Sequence, residues 1–288
     1  MERESTRLDN PSHYTFGWIA ALAIEQAAAR ALLDEEYSEP KNFHPSPSDT
    51  NNYIWGRIGQ HNIVIASLPA GVHETISAAT PASDLVHYLP QMRFGLLVGI
   101  GGAIARPGDD QDNRLGDDVV VQPHGAEHEI RPSKIPGLVE TMLQANPGMN
   151  RPGSNFTYQG PENDRLFPSD YEHVGGKTCA KCEVSRRIYR EKRETTEPVT
   201  HYGVIASGNT LIKDAEFRDN LAERIGHQCL CVEMEAAGLV NKFPCLVIRG
   251  ICNYADSHKN DQWQGYAAFT AAAFAVELLR NDSYSVSG

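Results

Sequence analysis

The chain has 288 residues, of which 41% are apolar, and a formal net charge of -11 at pH 7. This length allows a sizeable core, so we expect one domain over residues 1–288. The acidic balance disfavours a nucleic-acid polymer as ligand, because binding a phosphate backbone needs clustered Lys and Arg. Residues 1–10 are polar, and no stretch approaches the roughly 18 uncharged apolar residues of a membrane span. We therefore expect a soluble cytoplasmic protein with no membrane partner.

Short apolar runs alternate with amphipathic stretches along most of the chain. This alternation predicts an α/β sheet that is covered by helices on both faces. In chain order, we predict strand 15–21, helix 22–33, strand 61–67, helix 75–89, strands 94–100 and 118–121, strand 200–206, helix 213–225, strands 229–233 and 245–252, and helix 263–279.

Residues 132–198 differ from the rest of the chain because they are rich in Pro, Gly, Asn and charge. This composition predicts an insertion made of loops with one or two helices. Its basic run, residues 186–193, is interleaved with Glu191 and predicts a solvated helix.

Six cysteines in a chain without a signal peptide indicate reduced thiols rather than disulfides. Cys179 and Cys182 form a CxxC, which is half of the pattern of a structural zinc site. No second CxxC or His pair at ligand spacing follows it. We therefore favour a surface loop here, and we expect neither a metal nor another cofactor.

Ligands of open α/β sheets gather at the carboxyl ends of the strands, so the residues after each apolar run are the candidates for function. Glu25 lies in the opening turn of a predicted helix, where it either complements the helix dipole or serves as a base. Gly101 and Gly102 follow a buried strand and predict a tight turn, with or without a ligand. Ile104 replaces the third glycine of a dinucleotide fingerprint.

Two further strand ends carry charged or amide side chains. Glu233, Met234 and Glu235 place two acids at a strand terminus, and buried acids of this kind need partners such as the hydroxyls of a ribose. Arg249 and Asn253 end the last apolar run, and Arg249 is also explained by a structural ion pair. Asp256, just beyond them, is also explained as the cap of the following helix.

Taken together and in this order, these segments resemble the purine nucleoside phosphorylase/uridine phosphorylase superfamily, and within it the fungal proteins related to methylthioadenosine nucleosidase. The phrases that carry the resemblance are GWIAALAIE, SLPAGV, LLVGIGGAI, RLGDDVVV, HYGVIASGN, VEMEAAGL and RGICNYADSHK. They span most of the chain outside the insertion. The resemblance implies a three-layer α/β/α sandwich with a mixed, mostly parallel central sheet, and a homo-oligomer.

The resemblance also implies roles for individual residues. Glu25 matches the acid that activates water in the nucleosidases, and Arg249 matches the arginine that helps to place that water. Met234 and Glu235 match the pair that holds the ribose. A nucleosidase serine that also touches the water falls on Ile100 here, so that contact is absent or replaced. The full set expected to bind substrate is Gly101, Gly102, Ser207, Gly208, Leu211, Ile212, Glu233, Met234 and Glu235.

Water is the expected nucleophile rather than phosphate. A phosphorylase must hold a phosphate dianion with several arginines, and no free carboxylate should stand beside it. In the microbial phosphorylases one such arginine precedes the glycine turn, where this chain has Leu97, and another lies in the loop around residues 22–25, which has no Arg. Glu25 would repel phosphate, whereas water needs only a base and a hydrogen-bonding frame.

Asn253 departs from the family pattern, since the nucleosidases have an Asp that protonates or hydrogen-bonds purine N7. An amide donates a hydrogen bond but cannot transfer a proton. Three explanations stay open: a deliberate Asp-to-Asn change that traps substrate, a natural preference for 6-oxopurines, and lost catalysis. We favour an attenuated or substrate-trapping site.

The sequence therefore predicts a purine nucleosidase that hydrolyses the N-glycosidic bond of a purine ribonucleoside. The alternatives are a purine nucleoside phosphorylase and a nucleoside-binding sensor module without turnover.

Overall fold

The computed structural model describes residues 8–67, 79–92, 94–109, 111–121, 134–151, 156–238 and 245–281. Nine strands and five α-helices lie in this part of the chain. The strands are β1 Phe16–Ala20, β2 Glu35–Tyr37, β3 Asn52–Ile58, β4 His61–Ser67, β5 Phe94–Ala103, β6 Asp118–Val121, β7 Thr200–Ser207, β8 Cys229–Glu233 and β9 Cys245–Asn253. The helices are α1 Ala23–Ala31, α2 Ala79–Tyr88, α3 Ile135–Ala145, α4 Ala215–Ile225 and α5 Gln264–Arg280.

The strands form one mixed sheet in the order β2-β3-β4-β1-β5-β8-β7-β6-β9. Strand β9 also pairs with β5, so the second half of the sheet closes on itself. The pairs β1–β4, β1–β5, β5–β9, β6–β7 and β7–β8 are parallel, whereas β2–β3, β3–β4, β5–β8 and β6–β9 are antiparallel. This closure brings the carboxyl ends of β5, β8 and β9 together.

Alternating side chains of the sheet enter different hydrophobic clusters. On β4, Ile63 and Ile65 pack in the cluster that contains α1 and α5, whereas Val64 and Ala66 pack in the cluster that contains Leu85 of α2. Because successive side chains of a strand point to opposite faces, helices cover both faces of this sheet. The predicted three-layer α/β/α arrangement around a mixed sheet is confirmed.

All the predicted strands are present, within a few residues of their expected ends. Strands β2 and β3 were not predicted. The predicted helix over residues 75–89 corresponds to α2, and its residues 75–78 lie outside the described residues, as do residues 68–72 of the SLPAGV phrase. The described part of the insertion contains one α-helix, α3, among loops and one-turn 3-10 helices. No described helix is long and apolar enough to cross a membrane.

The prediction of a solvated helix over residues 186–193 is wrong. This segment contains no α-helix, and the side chain of Arg190 is only 6% exposed. Arg190 lies 2.8 Å from a carboxylate oxygen of Asp164, and Arg193 lies 2.6 Å from one of Asp117. These arginines therefore face acids of the protein rather than water, and the pairs Arg193–Asp117 and Arg190–Asp112 (3.3 Å) connect the end of the insertion to the rest of the fold.

The cysteines confirm one expectation and correct another. All six lie in the described residues and are free thiols, as predicted. Cys179 and Cys182 are buried, however, and they pack against Phe167, so they are not part of an exposed surface loop.

Candidate active site

Glu25 is held at the start of α1 by backbone N–H groups. Its Oε2 atom accepts hydrogen bonds from Ala21 (2.8 Å) and Leu22 (2.9 Å), and its Oε1 atom accepts one from Ile100 of β5 (2.8 Å). The first N–H groups of a helix lack intrahelical partners, and an acid in the first turn satisfies donors of this kind. The side chain is buried, and the bond to Ile100 ties it to the end of β5 rather than leaving it on the helix surface.

Arg249 is fully buried on β9 and binds the acids that follow β8. Its Nη2 atom donates to Glu233 in a short contact and to Glu235 at 3.2 Å. The Glu233 carboxylate also accepts from the backbone N–H of Glu235 (3.0 Å) and of Ala236 (3.1 Å). Glu233 therefore positions Arg249 and the turn after β8, and the side chain of Glu235, which is 23% exposed, is the acid that a ligand can reach.

Gly99 allows Glu25 and Arg249 to approach each other. It pairs with Arg249 in the parallel register of β5 and β9. A Cβ atom at Gly99 would stand 2.4 Å from Nη1 of Arg249 and 2.4 Å from Oε1 of Glu25. Among the described residues, Nε and Nη1 of Arg249 have no hydrogen-bond acceptor although they are buried. Buried donors of this kind are costly, so a bound water or ligand is a fitting partner.

The pKa values of Glu25, Glu233 and Glu235 are shifted in different ways by burial and by neighbouring charges. Burial raises the pKa of Glu25, against the opposing effects of Arg249 and the backbone N–H donors. Burial also raises the pKa of Glu233, but Arg249 and the hydroxyl of Ser207 outweigh it and lower the pKa to about 2. Burial raises the pKa of Glu235 to about 7. Arg249 lowers this pKa, but the like charges of Glu25 and Glu233 raise it again. The positive charge of Arg249 thus acts on all three carboxylates.

Asn253 ends β9 and is held in a fixed orientation. Its Oδ1 atom accepts the N–H of Ala255 at 2.9 Å, and its Nδ2 atom lies 3.0 Å from Sγ of Cys252. Ala255 has a positive φ of 51°, which turns the chain back on itself. Because the oxygen is committed to the backbone, the amide NH₂ is the end that can donate to a ligand. Asp256 does not cap α5, because its Oδ1 atom accepts the N–H of His258 instead.

The prediction of a tight turn at Gly101 and Gly102 is wrong. Both lie inside β5, not in a turn after it. A Cβ atom at Gly101 would stand 2.5 Å from Sγ of Cys231, and one at Gly102 would stand 2.9 Å from Oδ1 of Asn253. These glycines therefore let β8 and the Asn253 turn pack closely on β5, a role that depends on strand pairing that the sequence does not display.

The remaining expected residues stand around the end of β7. Ser207 accepts the N–H of Ala237 at 2.8 Å, and the N–H of Gly208 donates to the carbonyl of Glu233 at 3.2 Å. Leu211 is 46% exposed, and Ile212 packs beside Ala255 in a small cluster. Met234 is half-buried next to Glu235. Ser207 and Gly208 are thus bonded to the turn that follows β8 and carries Glu233 and Glu235. Ile212 instead lies near the turn after Asn253.

Two features of the site were not found from the sequence. The role of Gly99 needs the register between β5 and β9, although its place in the LLVGIGGAI phrase was a weak signal. The hydrogen bond from the N–H of Ile100 to Glu25 also needs the structure, since the sequence indicated only that a serine contact is absent or replaced at Ile100, whose side chain packs against the hydrophobic core. A separate cluster that could hold a metal, His173, Cys179 and Cys182, lies in the insertion.

Comparison with solved structures shows that the fold of this chain is also found in nucleosidases. A futalosine hydrolase of Helicobacter pylori is 17% identical with a TM-score of 0.52, over 93% of this chain and 97% of that one. A 5'-methylthioadenosine/S-adenosylhomocysteine nucleosidase of Streptococcus pneumoniae is 18% identical with a TM-score of 0.54, over 92% and 98%. No family model matches the chain.

The sequence relatives are longer proteins. A nucleotide-binding leucine-rich repeat (NLR)-like protein of Hyaloscypha variabilis is 37% identical over an alignment of 306 positions, gaps included, that covers 93% of this chain and 29% of that protein. The ATP nucleosidase Cap17 of Escherichia coli is 35% identical over an alignment of 83 positions that covers 27% of this chain and 16% of that protein. The chain thus spans less than a third of either relative. It shares the fold of the solved nucleosidase and of the futalosine hydrolase, which is the fold that the resemblance of its motifs implies.

Proposed function

We propose that this protein is a purine nucleosidase, which hydrolyses the N-glycosidic bond of a purine ribonucleoside to free base and ribose. One observation carries the proposal: the Glu25 carboxylate and the Arg249 guanidinium lie close together beside Gly99. Glu235 accepts a hydrogen bond from another nitrogen of the same guanidinium. A buried carboxylate with a raised pKa is suited to take a proton from water, and Arg249 has free donors with which to orient that water.

The charges of the site support water rather than phosphate as nucleophile. Three carboxylates share one guanidinium in the described part of the site, so a phosphate dianion would meet repulsion rather than a set of cationic donors. Water carries no charge, and it needs only a base to take its proton and hydrogen-bonding groups to orient it. A phosphorylase is therefore the less favoured alternative.

The proposed chemistry follows from these placements. As the bond between C1' of the ribose and N9 of the purine breaks, its electrons move to the base and the ribosyl group becomes oxocarbenium-like. Water forms the new bond to C1' and gives its proton to Glu25. The departing base takes up a proton from solvent, and Glu25 releases its proton to solvent before the next turnover. Glu235 accepts hydrogen bonds from the ribose hydroxyls, and its negative charge stabilises the cationic sugar.

Asn253 would stabilise the departing base through N7. With its oxygen bound to the N–H of Ala255, the amide presents N–H rather than C=O to a ligand, and N7 of a purine is an acceptor. An H. pylori methylthioadenosine nucleosidase in which an aspartate is replaced by asparagine holds 5'-methylthioadenosine in its active site. That complex supports an attenuated, substrate-retaining site, while a preference for 6-oxopurines stays the alternative.

A sensor module is the second alternative, and one observation favours it. The NLR-like relative is more than three times as long as this chain, so a nucleoside-binding unit within a larger protein is a reasonable context. Base release separates enzyme from sensor. The substrate panel should contain adenosine, inosine, guanosine, 5'-methylthioadenosine and ATP, the last because of the ATP nucleosidase relative. A homo-oligomer stays a proposal that light scattering would test.

The direct test of the proposed base is Glu25→Gln. We expect this variant to lose hydrolysis by at least about a hundredfold, since an amide cannot accept the proton, while nucleoside binding stays within a few-fold. Glu140→Gln, on the exposed surface of α3, is the matched control and should behave as the unchanged protein. Chromatography of the released base and calorimetry of nucleoside binding give the two readouts. Full activity of Glu25→Gln would refute the assignment.

A further inference from the structure

The insertion brings two buried thiols and a half-buried imidazole together. Cys179, Cys182 and His173 each offer one ligand atom, and these atoms lie within 4.8 Å of one another. In a tetrahedral zinc site, with bonds of about 2.0–2.3 Å, the ligand atoms stand roughly 3.5 Å apart. Side-chain movements of about 1 Å would therefore close the three atoms around a metal ion.

The loop between His173 and Cys179 is shaped to turn the imidazole toward the thiols. Gly175 and Gly176 both have positive φ values, 98° and 96°, which reverse the chain direction within a few residues. The Nε2 atom of His173 lies 3.2 Å from the carbonyl of Thr178, the residue before Cys179. Donation of the Nε2 proton to a backbone carbonyl leaves the lone pair on Nδ1, the neutral form that binds a metal. A metal there would replace the N–H of Gly175, which now lies 3.1 Å from Nδ1.

His258, on the connection after β9, is a candidate fourth ligand that stands beside this cluster, outside the three residues whose ligand atoms lie within 4.8 Å of one another. The side chain of His258 is 4% exposed, and neither ring nitrogen has a hydrogen-bond partner in the part of the chain that the structure describes. Its ring lies edge-on to that of His173, with centroids 5.6 Å apart, and its carbonyl is 3.7 Å from Sγ of Cys179. A buried imidazole without partners is costly, and a metal ion would satisfy it.

Asp256 completes the arrangement around His258. Its Oδ2 atom lies 3.6 Å from Nδ1 of His258, which is too long for a hydrogen bond but close enough to become one after a small shift. A histidine that gives its Nδ1 proton to a carboxylate and binds zinc through Nε2 is the common carboxylate–histidine–zinc arrangement. The sequence did not show this set, because His173 lies six residues before the CxxC and His258 lies far beyond it in the sequence.

We propose that His173, Cys179, Cys182 and His258 form a structural zinc site, with Asp256 orienting His258. Two thiolates and two imidazoles in a closed, buried set fit zinc better than the hard cations, which prefer oxygen ligands. The site fastens the insertion to the β9–α5 connection, where the N–H of His173 already donates to Oγ of Ser257 at 3.1 Å. That connection follows directly on Asn253, the last residue of β9, so the metal would hold the segment next to this residue of the candidate active site.

Metal analysis tests the site without relying on enzyme activity. Protein produced in zinc-supplemented medium should carry one zinc ion per chain after dialysis. Replacement of zinc by Co²⁺ should give the thiolate-to-cobalt charge-transfer band in the near ultraviolet and the intense visible bands of tetrahedral cobalt. Neither measurement needs a variant that must fold. The absence of both zinc and the cobalt–thiolate band would overturn the proposal.

Variants then assign the ligands. Cys182→Ser should weaken zinc in competition with a chromophoric chelator by at least about a hundredfold, and Asp256→Asn by about tenfold, as expected for a ligand and for its hydrogen-bond partner. Cys245→Ser, a half-buried thiol outside the cluster, is the matched control and should leave affinity unchanged. His258→Gln should weaken zinc and alter the visible cobalt bands. An unchanged affinity and cobalt spectrum in His258→Gln would overturn the four-ligand set.

Discussion

Gly99→Ala is the sharpest perturbation of the candidate site, because it adds one carbon atom and removes no functional group. The new Cβ atom would stand 2.4 Å from Nη1 of Arg249 and from Oε1 of Glu25, whereas ordinary contacts begin at 3.4 Å. One or both groups must therefore retreat by about 1 Å. A displacement of this size in a catalytic group can cost about a hundredfold in rate, and overpacking a core typically costs about 1–3 kcal/mol of stability.

We expect Gly99→Ala to lower kcat by about a hundredfold, with a smaller effect on KM, and to lower Tm by a few degrees. Gly137→Ala is the control, since a Cβ at this position in α3 meets nothing within 4 Å. Steady-state kinetics of base release and a thermal melt measure both effects. If Gly99→Ala kept its activity within threefold while folding normally, the close approach of Glu25 and Arg249 would not be part of catalysis.

The other predictions concern the acid and the amide that face the substrate. Glu235→Ala should weaken nucleosides far more than free bases in calorimetry, because its proposed partners are ribose hydroxyls, and equal losses for adenosine and adenine would argue against that role. Since the pKa of Glu235 is raised to about 7, the carboxylate that accepts these hydrogen bonds is lost as the pH falls below 7, so KM for the nucleoside should rise there while the affinity for free base stays constant. Asn253→Asp should raise turnover by about a hundredfold for bases that leave only after protonation, as measured by base release, and an unchanged or lower rate would favour a native 6-oxopurine enzyme.

The parts of the fold that could be predicted are those that a single segment determines. Strands such as β5 and β9 are continuous apolar runs, and they were found because burial on both faces gives such runs. Strand β2 is only three residues long, with two acids, and β3 contains Trp55, Gly56 and Arg57, so neither shows a clean apolar pattern. Both pair at one edge of the sheet, where tertiary pairing decides the structure rather than local preference.

The site was predicted as a set of residues but not as an arrangement. Glu25, Arg249 and Glu235 are far apart in the chain, and the motif order alone indicated that they belong together. The division of labour between Glu233 and Glu235 required the structure, since only the geometry shows that Glu233 is directed at Arg249 and the backbone. The burial of Arg190 against distant acids could not be predicted either, because the sequence of a basic run does not show whether its side chains face water or form ion pairs.

The central claim is that water attacks the ribosyl carbon and that phosphate takes no part. Incubation of a purine nucleoside with the protein, with and without phosphate, tests it most directly by mass spectrometry of the sugar product. The account predicts free ribose, without ribose 1-phosphate, formed at a rate independent of phosphate. Formation of ribose 1-phosphate that requires phosphate, or retention of intact nucleoside by both this protein and its Asn253→Asp variant, would contradict it.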